Sequence, residues 1–149
     1  MKYDKWIAVA AVSLILFFLP TRNAAEERAY VKRVIDGDTI ELNDSSEKLR
    51  LIGIGAPERG ERCYGEAKNK LAEAIEGKEL RLETDITNRD RYGRLLRYIY
   101  VNDTFVNEYM VSEGFAHSYY YEPDTKHYDT LLKAEAYAKE NRKGCLWGD

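Results

Sequence analysis

The sequence has little cysteine: Cys63 and Cys145 are the only two in 149 residues. A small scaffold stapled by several bridges is therefore excluded, and a Cys/His zinc site is disfavoured because Cys145 has no Cys or His near it in sequence. Positive charge is not in surplus either. Residues 26–149 carry 20 basic and 25 acidic side chains, a net −5, so the field of the whole domain does not attract phosphate. Any dealings with nucleic acid must rest on a local basic patch or a bound cation. Internal repeats and low-complexity segments are lacking. With 44% hydrophobic and 33% charged residues, the composition fits one soluble domain with its own core, and neither a disordered chain nor a polytopic membrane protein.

There is one long apolar run, Trp6 to Leu19, preceded by Lys2 and Lys5 and closed by Pro20. As a helix it rises about 21 Å, short of the roughly 30 Å hydrocarbon core. That is the layout of an export signal. Neither Asn23 nor Arg22 is the small apolar residue expected three positions before a cut at Ala25 or Ala24. Residues 1–25 are accordingly read as a signal peptide or a retained N-terminal membrane anchor, and residues 26–149 as the domain. The expected product is exported, secreted or anchored to the outer face of the cytoplasmic membrane, and monomeric. Two cysteines in an exported chain favour a single Cys63–Cys145 disulfide closing a long loop, with two buried free thiols as the alternative.

Past a polar spacer at Ala24–Ala29, short strand patterns begin: Tyr30–Ile35, Thr39–Leu42 and Leu49–Ile54, separated by turns at Asp36-Gly37 and Asn43–Ser46. Tyr64, Ala67, Leu71 and Ile75 have helical spacing, and Gly77 suits the left-handed cap that ends the helix. Leu80 and Leu82 mark a fourth strand and Leu95–Val101 a fifth. Val106–Glu113 and Tyr128–Arg142 read as helices stopped by Gly114 and Gly144. Five strands with a helix after the third and helices at the end predict an α+β fold, a small closed barrel of oligonucleotide-binding (OB) type.

Several clusters carry chemistry. Asp36-Gly37-Asp38 sets two carboxylates on a tight turn, as hard cations require, although Asp-Gly also serves as a plain hairpin turn. Arg50 falls inside an apolar strand, where a guanidinium needs a partner or a ligand. Gly55-Ala56-Pro57-Glu58 ends that strand and delivers Glu58 close to the Asp38 turn, where a carboxylate can take a proton from water. Arg89, Arg91, Arg94 and Arg97, interleaved with Tyr92 and Tyr98, form the densest basic stretch and the expected phosphate site. Tyr119-Tyr120-Tyr121 offers faces for base stacking, with at least one of the three expected in the core.

The order of these pieces resembles the staphylococcal nuclease (thermonuclease) family: Ile35-Asp36-Gly37-Asp38-Thr39, Leu49-Arg50-Leu51, Ala56-Pro57-Glu58, Tyr64-Gly65-Glu66-Ala67, Asp90-Arg91-Tyr92-Gly93-Arg94, Val106-Asn107-Glu108 and Leu146-Trp147. The resemblance spans about Tyr30 to Trp147. It implies a five-stranded OB-fold β-barrel with three α-helices and a Ca²⁺-dependent phosphodiesterase acting on DNA and RNA. Matched by position, Asp38 is a metal ligand and Glu58 activates the attacking water. Arg50 and Arg94 grip the phosphate, while Arg91, Tyr92, Tyr119 and Tyr121 hold the nucleotide. One departure matters: Gly55 stands where the family turn carries a second metal carboxylate. That leaves Asp38, the Ala56 backbone carbonyl, waters, and Asp36 through a water. Since calcium affinity follows the ligand charge, the rival reading is an OB-fold nucleic-acid-binding module with lost or weakened catalysis.

Overall fold

A computed structural model describes residues 27–148; the leader expected at 1–25 lies outside them. The elements run β1 (Glu27–Asp36), β2 (Thr39–Leu42), β3 (Lys48–Leu51), β4 (Ile54–Gly55), α1 (Tyr64–Ile75), β5 (Glu79–Glu83), β6 (Leu95–Val101), β7 (Thr104–Phe105), α2 (Val106–Ser112), β8 (His117–Ser118), α3 (Tyr128–Glu140) and α4 (Gly144–Trp147).

β1, β2 and β3 form an antiparallel meander, with Thr39 opposite Arg50. β1 also pairs antiparallel with β5, and β5 with β6. The circuit closes where β6 lies parallel to β3, Leu49 beside Leu95. This is the five-stranded barrel expected from the sequence, and closure removes the exposed edges an open sheet would leave. Ile40, Leu49, Leu51, Leu80 and Ile99 fill its interior, and α1, α2 and α3 add Leu71, Ile75, Met110 and Leu131 to the same core.

α1 forms as its spacing predicts. Ala67, Leu71 and Ile75 are its buried stripe, and Gly77 follows with φ +70°, in the left-handed region that lacks a penalty only for glycine. α2 is pinned differently. The wholly buried Asn107 donates to the Ile52 carbonyl at 2.8 Å and accepts the Ile99 N–H at 3.0 Å, which satisfies both ends of a buried amide.

Two boundaries differ from expectation. The spacer expected to reach Ala29 is already strand from Glu27, paired with Leu82 of β5; its polar composition hides it because the ladder and a Glu27–Arg97 ion pair at 2.7 Å, not apolar burial, hold it. The strand expected over Leu49–Ile54 breaks at Gly53, whose φ is +74°. Beyond that turn β4 leaves the barrel and pairs antiparallel with β8, Gly55 opposite His117. Among the described residues no helix is long and apolar enough to cross a membrane. Cys63 and Cys145 form a disulfide with Cα atoms 5.7 Å apart, so the alternative of two free thiols is set aside.

Candidate active site

The β1–β2 turn is built for close approach. A Cβ on Gly37 would lie 2.6 Å from the Ala56 Cβ and 2.9 Å from the Ala67 Cβ, so glycine lets the turn press against both the Ala56 segment and α1. The Asp36 carboxylate accepts the Asp38 N–H at 3.1 Å, an Asx turn that holds the loop. Asp38 is then directed inward. Its Oδ2 accepts the Ala56 N–H at 2.7 Å and meets an Arg50 Nη at 3.0 Å, and its Oδ1 accepts the Thr39 hydroxyl at 3.0 Å. Burial pushes the Asp38 carboxyl up to about 6, against the opposing pull of Arg50 and the Ala56 N–H.

Arg50 reaches Asp38 because the β2–β3 ladder puts it opposite Thr39. The Nη2 that meets Asp38 also donates to the Ile54 carbonyl at 2.7 Å, and Nη1 donates to the Leu51 carbonyl at 2.6 Å. Arg50 is half-buried, and the partner expected for it is a carboxylate plus two backbone oxygens.

Arg94 is set by its own turn. Asp90 accepts hydrogen bonds from the Tyr92 and Arg94 N–H groups at 2.9 and 3.0 Å and from Arg94 Nε at 2.6 Å. Burial alone would raise the Asp90 carboxyl, but these bonds outweigh it and lower it below the usual range. Arg94 also donates to the Thr39 Oγ1 at 3.4 Å. Since Thr39 in turn donates to Asp38, one chain of contacts links both arginines to the same carboxylate.

These groups line a single cleft of about 650 Å³. Asp36, Asp38, Arg50, Glu58, Arg91, Tyr92, Arg94, Tyr119 and Tyr121 all contribute to its wall, so nearly the whole set singled out by sequence converges there. Ala56 reaches it through the backbone N–H given to Asp38, and neither Ala56 nor Gly55 is part of the wall itself. The β4–β8 pair explains the meeting: it carries Glu58 past one end and, with the Tyr119 N–H donating to the Gly53 carbonyl at 2.8 Å, brings the tyrosines to the same mouth.

The basic stretch does not act as one patch. Arg91 and Arg94 face the cleft, and Arg91 stacks over Tyr92 with 4.8 Å to the ring centre. Arg97 is only 5% exposed and is locked to Glu27 and the Asn88 side chain. Arg89 pairs with Glu47, and Tyr98 is buried with its hydroxyl on Asp85. Arg91 and Arg94 stand on the turn before β6 while Arg97 and Tyr98 lie within β6 and are buried, a division that sequence density alone does not disclose. The tyrosine run corrects a second expectation. Tyr119, Tyr120 and Tyr121 are 56%, 56% and 37% exposed, so none is in the core; the buried position that follows is taken by Asp124, which accepts the Ile86 and Thr87 N–H groups. Two positioning residues, Thr39 and Asp90, do not stand out in the sequence as site residues. An Asp four residues before an Arg with Gly between is a turn signal, and it offers a route to Asp90.

A five-stranded OB-type barrel with arginines, carboxylates and exposed tyrosines around one cleft defines a class of protein that handles phosphodiesters. Known proteins narrow this. The family model for staphylococcal nuclease homologues matches residues 48–149, a span that includes Arg50, Glu58 and Arg94 and starts after the Asp36–Asp38 turn. The chain is 33% identical over 135 residues to a thermonuclease of Staphylococcus hyicus, covering 85% of this chain and 79% of the relative. It is 34% identical over 156 residues to a micrococcal nuclease of Shigella flexneri, covering 95% and 84%. It is also 38% identical over 120 residues to the endonuclease YncB of Bacillus subtilis (strain 168), covering 74% of this chain and 57% of that protein. The chain belongs to the staphylococcal nuclease family. It is a nuclease, a hydrolase of phosphodiester bonds with nucleic acid as substrate.

Proposed function

We propose that the chain is an exported, Ca²⁺-assisted endonuclease acting on DNA and RNA, in which Glu58 activates water and Arg50 and Arg94 hold the phosphate. The observation that carries this reading is the convergence of those three side chains with Asp38 on one cleft. The donor set suits a hard cation: Asp36 and Asp38 place two oxygen ligands on one turn at the cleft wall, against a single arginine contact on Asp38. These two carboxylates would hold the ion with waters, Asp36 through one of them. The Ala56 carbonyl completes the proposed set. With Gly55 supplying no carboxylate, the ligand charge is two at most, and calcium affinity that follows ligand charge is expected to be weak. When bound, a divalent ion supplies Lewis-acid stabilisation of the negative charge that grows on the phosphoryl oxygens.

The protein's own groups then divide the work. Arg91, Tyr92, Tyr119 and Tyr121 orient the nucleotide by charge and stacking. Glu58 accepts a proton as the water oxygen bonds to phosphorus; the P–O ester bond breaks with its electron pair on the leaving sugar oxygen, which takes a proton from solvent and departs as the alcohol. Arg50 and Arg94 present guanidinium forks to the non-bridging oxygens, whose charge increases along the reaction, so they stabilise the transition state more than the ground state. Arg50 must exchange its contacts with backbone carbonyls or Asp38 to do so.

Gly55 favours a second reading in which the cleft binds nucleic acid and hydrolyses it slowly. Cleavage of single-stranded DNA and RNA is measured with Ca²⁺, with other divalent ions and with chelator. Activity confined to added divalent ion is expected. Full activity in chelator overturns the metal-assisted mechanism, and oligonucleotide binding without cleavage under any ion establishes the binding module in its place. The export reading rests on the leader and is supported by the disulfide, a bond typical of oxidising compartments. Blotting the medium, the membrane fraction and the cytoplasm tests it, a cytoplasmic pool alone being the contrary result. Sedimentation tests the expected monomer.

A further inference from the structure

Glu58 sits on a segment with little to hold it. Between buried Pro57 and buried Cys63, residues 58–62 are all exposed. The turn is bonded mostly to itself: the Glu58 N–H donates to the Glu61 carboxylate at 2.8 Å and the Glu61 N–H to the Glu58 carbonyl at 2.9 Å. A hydrogen bond to a distant segment of the chain runs from Arg62 to the Gly148 carbonyl at 3.3 Å. At the far end Cys63 is the residue before α1, with φ +74° and no side-chain cap. A left-handed backbone is disfavoured for any residue with a Cβ, so something beyond local preference holds it there.

The other half of the disulfide is anchored independently. Cys145 lies in α4, where a Cβ on Gly114 would fall 2.0 Å from the Lys143 carbonyl; two glycine backbones therefore meet at Gly114 and Gly144. The Leu146 N–H donates to the Gly114 carbonyl at 3.2 Å. Trp147 packs edge-on to His117 at 5.1 Å between ring centres, with the Lys139 ammonium 4.7 Å from the Trp147 ring. The tail is thus docked on the α2–β8 corner, and the disulfide is a strut from that corner to the end of the Glu58 turn.

We propose that the Cys63–Cys145 bond is a positioning element of the reaction: by holding Cys63 left-handed it aims the Glu58 carboxylate into the cleft, so turnover depends on the oxidised chain while the grip on phosphate does not. This rests on the reading of Glu58 as the group that activates water. Arg50 and Arg94 are held by the β2–β3 ladder and the Asp90 turn, neither of which the bond touches. Reduction by a dithiol delivers two electrons and two protons, breaking the S–S bond to two thiols as the dithiol closes to its own disulfide. A chain in a reducing compartment is therefore slow, and exchange with an oxidised dithiol, which takes up the two electrons and two protons as its own S–S bond opens, switches it on.

The test uses the full chain at 25 °C with saturating divalent ion and a single-stranded oligonucleotide. The oxidised parent, C63A/C145A, C63G/C145A, E58Q and the triple variant E58Q/C63A/C145A are compared, with a thermal melt on each. Misplacing a catalytic group by an ångström costs up to about a hundredfold, so C63A/C145A is expected to lose about tenfold in kcat with KM changed less than twofold. Added to E58Q, the same loss of the bond should lower kcat less than twofold, because it acts through Glu58. Glycine accepts the left-handed backbone without a strut, so C63G/C145A should recover at least half of the lost turnover on a logarithmic scale. A folded alanine pair with parental kcat overturns the proposal, as does the full tenfold loss repeated on top of E58Q. Should the alanine pair fail to fold, the parent chain before and after reduction by a dithiol decides: a kcat lowered about tenfold at equal KM in the reduced, still folded chain supports the strut, and parental kcat in it overturns the proposal. E58Q with parental kcat overturns the Glu58 assignment and the proposal together, whereas a slow E58Q beside a fast alanine pair overturns the proposal alone.

Discussion

Two turns line the cleft and are held by different means. The Asp90–Arg94 turn is self-sufficient: one carboxylate collects two backbone N–H groups and the Arg94 side chain, and Gly93 closes the loop onto the Asp90 carbonyl at 3.0 Å. The Glu58 turn has no such hub and is fixed at its ends, by Pro57 and by the Cys63–Cys145 bond, which spans 82 residues. The arginine is preorganised by local sequence, and the carboxylate, on the proposal above, by a contact from the other end of the domain. On the proposed roles, positioning of the phosphate grip should tolerate distant damage, while positioning of the proton acceptor should not.

The largest effects are expected at the groups themselves. E58Q should lower kcat by about 10²–10⁴ with KM little changed, the range for loss of a general base; steady-state kinetics on a single-stranded substrate measures it. D90A removes the hub of the self-sufficient turn. It should cost roughly 1–3 kcal/mol in stability from the donors left unpaired and reduce kcat/KM by about tenfold to a hundredfold, read from a denaturant melt and from kinetics. If D90A were kinetically silent, Arg94 would not depend on its turn and the contrast between the two turns would fail.

A smaller effect is expected at the metal turn. Gly55 has no atom within 4 Å of the place where a Cβ would sit, and its φ is not left-handed, so Gly55→Asp should fold with a melt within about 2 °C of the parent. A carboxylate returned near Asp38 should tighten Ca²⁺ binding about tenfold, measured by calorimetry. Unchanged affinity would show that position 55 does not face the ion. The substitution leaves the Asp90 and Glu58 turns undisturbed, so any change in turnover beside it belongs to the ion.

Acid gives the mildest test. Burial would raise the Glu83 carboxyl, but hydrogen bonds from Lys126, His127 and Tyr100 outweigh it and hold it at about 2, below the ordinary 4.5. A depressed carboxylate contributes stability that is complete above pH 4.5 and lost as pH falls from there toward 2. After solvent screening the loss is about 1 kcal/mol. Asp90 is lowered as well and acts with the same sign, fading at acid pH. The disulfide has no such dependence. Acid should therefore release the Lys126–His127 segment and the Arg94 turn before it frees the end of the Glu58 turn, and amide exchange followed below pH 4.5 would show that order or refute it.

Local features are the ones legible in the chain alone. The Asp36-Gly37-Asp38 turn, the α1 stripe with its Gly77 cap, the strand cores and the ordered set from Asp38 to Arg94 are readable because each depends on residues within a few positions of one another, through turn chemistry and periodicity. The family pattern then pointed to every charged or aromatic residue that lines the cleft except Asp90. Long-range packing fixed the rest. Parallel pairing of β3 with β6 closed the barrel and left Arg97 and Tyr98 buried while Arg94 stayed at the cleft. The break at Gly53 took β4 out of the barrel to meet β8 and left all three tyrosines exposed. Docking of α4 set Cys145 where it could hold Cys63. Each of these joins segments far apart in sequence, and the free energy that selects them comes from burial and pairing formed only once the whole barrel has closed, which leaves no mark in any short window of the chain.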